Sequence, residues 1–218
     1  MKKLLIFPLI LSIYFLFGSV SLHDTEDWGT IRQATFAIGD DSRTFCSATK
    51  ISDHEMITAA HCMVSVDGKY QVWDNKKIVG IAIEVRKDEG KDLALLFIVS
   101  GVEGKHASVA SQEPLQDAIV VLAGYPMGIG EILTVGALQG FTIESDNRYY
   151  VTTATGTFGN SGGGLWAYRF WHGWELVGVA SAMATQDWYY GPIPYNVVTF
   201  HSSLPEIQKF LDNKEVIE

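Results

Sequence analysis

The sequence predicts an all-β protein: two groups of six antiparallel strands, followed by one C-terminal helix. Three observations lead there. Helical periodicity is almost absent. Short alternating or β-branched runs dominate instead. Turn-forming residue pairs separate them at close intervals. This spacing fits a barrel or sandwich and argues against a βαβ protein.

The first series of runs falls at 35–38, 44–51, 56–59, 70–73, 77–86 and 93–99. The second falls at 118–123, 131–141, 149–154, 164–170, 175–182 and 195–200. Asp67-Gly68, Asp74-Asn75, Glu89-Gly90, Asp146-Asn147 and His172-Gly173 supply turn chemistry between them. The polar stretch 103–116 holds Gly104, Ser108, Ser111 and Pro114, and reads as a linker between the two groups. At the C-terminus Ser203 and Glu206 make an S-x-x-E capping box, with Pro205 in the first turn. Ile207, Phe210 and Leu211 then share one face, which is expected to dock on the strands.

The 218 residues are enough for one large β domain or two small subdomains, and 47% are hydrophobic, so a sizeable core is available. The N-terminus is set apart. Met1-Lys2-Lys3 is basic, 4–20 is almost wholly apolar, and Ser19-Val20-Ser21 supplies small residues for cleavage. This reads as a signal peptide at about 1–21, with an uncleaved membrane anchor as the alternative. Loss of Lys2 and Lys3 from 16 basic residues, against 25 acidic ones, takes the formal charge from −9 to −11. An acidic surface repels phosphate backbones, so nucleic acid is not an expected partner. Cys46 and Cys62 are the two cysteines. Export and an even count point to one disulfide; two buried free thiols are the other reading.

Two runs carry candidate chemistry. Gly159-Asn160-Ser161-Gly162-Gly163 offers a hydroxyl on a glycine-rich turn, and Thr58-Ala59-Ala60-His61-Cys62 offers an imidazole. A serine hydroxyl is a poor nucleophile at neutral pH unless a base takes its proton. Taken singly, His61 also reads as a turn histidine, Asp92 as a turn residue before a strand, and Ser161 as a loop hydroxyl.

Taken with Lys91-Asp92-Leu93-Ala94-Leu95-Leu96, these runs resemble the three signatures of chymotrypsin-like (trypsin-fold) serine proteases, in the order His, Asp, Ser. The resemblance spans about 35–211. It implies two six-stranded antiparallel β-barrels, at about 30–105 and 118–213, joined by a linker at about 106–117. It implies a nucleophile at Ser161, a general base at His61, an orienting acid at Asp92, and an oxyanion hole from the N–H groups of Gly159 and Ser161. It also implies that a Cys46–Cys62 disulfide pins the histidine turn. No cofactor or metal is implied.

Asn160 departs from the animal digestive enzymes, which have an aspartate there that pairs with a new N-terminus. An amide cannot make that pair, so no activation by N-terminal insertion is expected. Gly-Asn-Ser-Gly-Gly instead resembles bacterial HtrA/Deg proteases, as do Gly124-Tyr125-Pro126-Met127-Gly128 and Leu133-Thr134-Val135-Gly136. The chain as given ends soon after its C-terminal helix, so the PDZ module of that branch is not expected.

The run 178–183 resembles the family's substrate-binding strand, with Ser181 supporting the acid. Thr155 stands six residues before the nucleophile, where trypsin has its aspartate. Met183 and Ile193 are placed on the pocket walls. A small or medium aliphatic P1 side chain is therefore expected. The alternative is a glutamyl endopeptidase with a pocket histidine, although Ala180 occupies that place; His172 reads as a turn histidine and His201 as a surface one. The aromatic run Trp166, Tyr168, Phe170, Trp171 and Trp174 reads as barrel packing, any exposed part being a docking surface.

The leading expectation is a secreted or periplasmic serine endopeptidase acting on a protein or peptide, free of the membrane once its leader is removed. A non-catalytic binding protein on a protease fold and a membrane-anchored protease are the rivals. Oligomeric state is left open.

Overall fold

The computed structural model describes residues 28–188 and 191–213, without the side chains of 184–188 and 191–197. The expected leader and its cleavage point lie outside the described residues. A short helix, α1 (Trp28–Ala34), comes first. Six strands follow: β1 (Thr35–Gly39), β2 (Thr44–Lys50), β3 (Glu55–Thr58), β4 (Lys69–Asp74), β5 (Lys77–Asp88) and β6 (Leu93–Ser100). The second set is β7 (Ile119–Gly124), β8 (Ile132–Glu144), β9 (Asn147–Thr152), β10 (Gly164–Arg169), β11 (Gly173–Trp188) and β12 (Gly191–Ser203), and helix α2 (Leu204–Asp212) ends the description.

Each set closes on itself. The first barrel runs β1-β2-β3-β6-β5-β4 and the second β10-β11-β12-β9-β8-β7, every ladder antiparallel. Closure leaves no unpaired sheet edge. Each barrel fills with inward aliphatic side chains: Ile38, Met56, Val72 and Leu96 in one, Val120, Leu122, Leu165 and Val177 in the other. A third cluster lies between them. Ile31 of α1, Ile57 and Leu95 of the first barrel, Val121, Trp166 and Leu176 of the second, and Phe210 of α2 all pack in it. Trp166 is wholly buried there; truncating such a side chain costs about 3–5 kcal/mol.

The segment after β6 is not a free linker. The N–H of Ala107 donates to the carbonyl of Lys50 (2.8 Å), in the first barrel. The N–H groups of Ala110 and Leu176 donate to the carbonyls of Leu176 and Ser108, 3.0 and 2.8 Å, in the second. The crossing thus binds to both barrels on its way.

Three local readings change. The helix α1 was not expected. The residue Ser203 precedes α2 but makes no side-chain cap, and its Oγ has no partner; Glu206 pairs with Lys209 instead (3.0 Å). The capping box therefore does not form, and burial of Leu204, Ile207 and Phe210 holds the helix. The aromatic run divides as well. Trp166 is buried and Trp174 packs against the central cluster, while Tyr168, Phe170 and Trp171 are exposed at the β10–β11 hairpin.

Candidate active site

The site forms where loops of the two barrels meet. His61 sits in a short 3-10 turn (Ala60–Cys62) just after β3. The Cys46–Cys62 disulfide ties that turn to β2, with Cα atoms 6.1 Å apart. It closes a loop of 16 residues, a constraint that contributes about 3 kcal/mol in the chain-entropy picture. Asp92 ends the β5–β6 turn with a left-handed φ of 51°, a conformation that aspartate tolerates better than most residues. Lys91 N–H donates to Asp88 Oδ1 (3.0 Å) and Ser202 Oγ donates to the Lys91 carbonyl (2.7 Å), so both barrels hold this turn.

The Asp92 carboxylate faces three donors. It lies 2.9 and 3.0 Å from His61 Nδ1, and it accepts from the His61 backbone N–H (3.0 Å) and from Ser181 Oγ. The acceptor at Nδ1 fixes a proton there and leaves Nε2 as the free base. The Asp92 hydrogen bond raises the His61 pKa above its ordinary 6.5, assisted by charge and opposed by burial.

Ser161 lies on the turn after β9. Its carbonyl accepts from Ser47 N–H of β2 (2.8 Å) and lies 3.7 Å from Cys62 Sγ. A ring nitrogen of His61 lies within 4.8 Å of the same disulfide's sulfurs, so the disulfide stands between the two turns. No hydrogen bond joins Ser161 Oγ to His61 Nε2. Catalytic contacts of this kind are often long before substrate binds. Cys46, His61 and Cys62 are the one grouping of metal-ligating residue types among the described residues; the disulfide removes both thiolates from it.

Glycine is required twice on this turn. At Gly162 (φ 82°) a Cβ would meet Thr58 Oγ1 at 2.0 Å and the Ser47 carbonyl oxygen at 2.2 Å. At Gly159 (φ 94°) it would meet the Tyr125 carbonyl oxygen at 2.6 Å and Met127 N at 2.7 Å. The peptides on either side of Gly159 are held. Met127 N–H donates to the Phe158 carbonyl (2.7 Å), and Ser47 Oγ donates to the Gly159 carbonyl (2.7 Å) while accepting from Tyr125 N–H (2.8 Å). The N–H groups of Gly159 and Ser161 have no acceptor among the described residues. Asn160 is buried, and its Oδ1 has no partner.

A cavity of about 30 Å³ opens beside Ser161, lined by Leu122, Gly156, Thr157, Ala180, Met183 and Thr199 among others. Thr155 is exposed and is not part of this lining; its carbonyl accepts from Thr134 Oγ1. The backbone of Ile193 pairs with Gln186, but its side chain lies outside the described residues. His201 is not a surface residue: it is completely buried on β12, opposite Ala180. Sequence reasoning missed Ser47, Tyr125 and Thr199. Ser47 adjoins a cysteine already under suspicion, but its role depends on a partner 112 positions away.

The trypsin-like peptidase domain model matches residues 46–179. No curated protein matches the chain. Among solved structures it is similar to the active form of the Rv3671c protease from M. tuberculosis: TM-score 0.71, 18% identity, 92% of this chain and 88% of that one. It is also similar to a serine endoprotease from Yersinia pestis, with TM-score 0.68, 18% identity, and 88% of this chain against 66% of that one. The apo MamO protease domain from Magnetospirillum magneticum gives TM-score 0.65 and 19% identity, covering 85% of this chain and all 100% of the other.

Proposed function

The chain belongs to the trypsin-like peptidase domain family and is a serine endopeptidase, and from that premise we propose that it works in an exported compartment through Ser161, His61 and Asp92. The observation that carries the assignment is the His61 Nδ1–Asp92 pair, 2.9 Å, on a turn stapled beside the serine turn. The Ser161 Oγ attacks the scissile carbonyl carbon as His61 Nε2 takes its proton. The carbonyl oxygen becomes an oxyanion, received by the N–H groups of Gly159 and Ser161. The tetrahedral adduct collapses, its C–N bond breaks, and His61 hands the proton to the leaving amine. Water repeats the sequence on the acyl-enzyme, releasing the acid and restoring Ser161. Asp92 keeps its charge throughout and stabilises the imidazolium.

The small cavity beside Ser161, with Leu122, Ala180 and Met183 on its walls, supports a small or medium aliphatic P1 side chain. Substrate backbone would pair along β11, as an added strand. The amide at Asn160 supports competence without an inserted N-terminus. Bacterial relatives of this design act outside the cytoplasm, and the apolar run at 4–20 supports export.

The missing Ser161–His61 hydrogen bond favours one second reading, a binding protein on a protease fold. A fluorophosphonate probe on the folded protein separates the two. Covalent labelling that Ser161→Ala abolishes, with peptide cleavage lost in parallel, is the expected result. An unlabelled Ser161 and no cleavage of any peptide would establish the binding protein.

A further inference from the structure

Beneath the cavity beside Ser161 lies a closed polar network that the mechanism does not use. Thr199 Oγ1 is 2.8 Å from His201 Nε2, 2.9 Å from Thr152 Oγ1 and 2.9 Å from the Ala154 carbonyl oxygen. All three side chains are buried, His201 and Thr152 completely. A carbonyl only accepts, so the Thr199 proton goes to Ala154. His201 Nδ1 has no partner. A buried N–H without an acceptor is rarer than a bare lone pair, which places the ring proton on Nε2, donating to Thr199. The hydroxyl of Thr152 donates to the same oxygen. Thr199 Oγ1 then has its proton and both lone pairs engaged.

That saturation decides which end of Thr199 meets a substrate. Thr199 Cγ2 stands over Gly156, where an added Cβ would meet it at 2.8 Å and Leu122 Cδ2 at 3.2 Å. All three residues line the cavity. The floor is therefore a methyl group backed by a leucine.

Building on the endopeptidase reading, we propose that Thr199, locked by His201 and Thr152, is the specificity-determining floor of the P1 pocket, presenting its methyl and admitting short aliphatic side chains while refusing carboxylates. Nothing in the network has a proton to spare for an acidic P1 group. His201 also brings no charge, since complete burial pushes its pKa down to about 3. A hydroxyl would have welcomed polar P1 residues; its engagement below the floor turns the same residue into an apolar stop.

The test is a P1 peptide series read as kcat/KM. The wild-type protein is expected to cleave after Ala and Val, with Asp and Glu at least a hundredfold worse. Thr199→Ser keeps the hydroxyl and removes the methyl; it should shift preference toward Leu and Met over Ala by about tenfold, the usual effect of one methyl-sized change in an apolar pocket. Cleavage after Glu rivalling that after Val, or an unchanged profile in Thr199→Ser, would overturn the proposal. If no peptide is cleaved and Ser161 resists the fluorophosphonate, the endopeptidase reading fails by itself. The network is then read by nitrogen NMR of the His201 ring at neutral pH: protonation at Nε2 is expected, and protonation at Nδ1 refutes the locked floor.

Discussion

Among single residues, Asp92 concentrates the most consequence. Its carboxylate gathers the His61 ring, the His61 backbone and Ser181. Because the pair raises the His61 pKa above 6.5, a larger share of His61 is protonated at mildly acid pH than in a free histidine. The base form is the working form, so kcat/KM should fall as pH drops, with a midpoint above 6.5. A pH–rate profile checks this. In Asp92→Asn the cause of the rise is gone, so any residual activity should show its midpoint at lower pH. The rate itself should fall by about ten-thousandfold, because the ring proton is no longer held at Nδ1. The candidate triad was legible in the sequence because each member sits in a short contiguous signature. Thr199 and His201 were not: their meaning comes from a register in which Ala180 faces His201 across two strands, and no local pattern encodes that pairing.

At the scale of elements, the serine turn is held by contacts that a side chain would displace. Gly159→Ala would push a methyl toward the Tyr125 carbonyl and Met127 N, both under 2.8 Å away. The peptide holding one oxyanion donor would have to move. Loss of one such donor typically costs about 10²–10³ in rate. The variant should therefore lose about that factor in kcat with little change in KM for a short peptide, measured under steady-state conditions. The strands themselves were legible, since alternation and turn pairs mark them, and all twelve lie where those signals fall. Two elements were less so. The helix α1, Trp-Gly-Thr-Ile-Arg-Gln-Ala, is seven residues long and without an acidic first turn; packing of Ile31 and Ala34 into the central cluster sustains it. Strand β11 runs on to Trp188 through polar residues that carry no apolar alternation.

For the whole molecule, His201 links folding to pH. Its folded pKa is depressed to about 3 by burial, whereas an unfolded histidine titrates near 6.5. Below 6.5 the unfolded chain binds a proton that the native protein refuses. The contribution is thus fully present above 6.5 and is lost as pH falls toward 3, at up to about 1.4 kcal/mol per pH unit. His61, raised rather than lowered, acts in the opposite sense: its contribution is present below 6.5 and fades as pH rises through its folded value. Denaturant unfolding at pH 7, 6, 5 and 4 should show stability declining before most carboxylates titrate. In His201→Gln that decline should flatten by about one proton's worth; an unchanged slope would remove His201 from the acid response.

The division of the fold into two separately closed barrels has a consequence for assembly. Every ladder of the first barrel lies within residues 35–100 and every ladder of the second within 119–203. A break in the exposed stretch 111–113 would give two fragments, each with a complete set of strand partners. One would carry His61 and Asp92, the other Ser161, so neither could hydrolyse a peptide alone. Their mutual affinity would come from the apolar cluster they share, and from α1 seated among residues of the opposite half. The molecule is in this sense a two-component device fused by a strap, and proteolytic activity would report that the components have found each other.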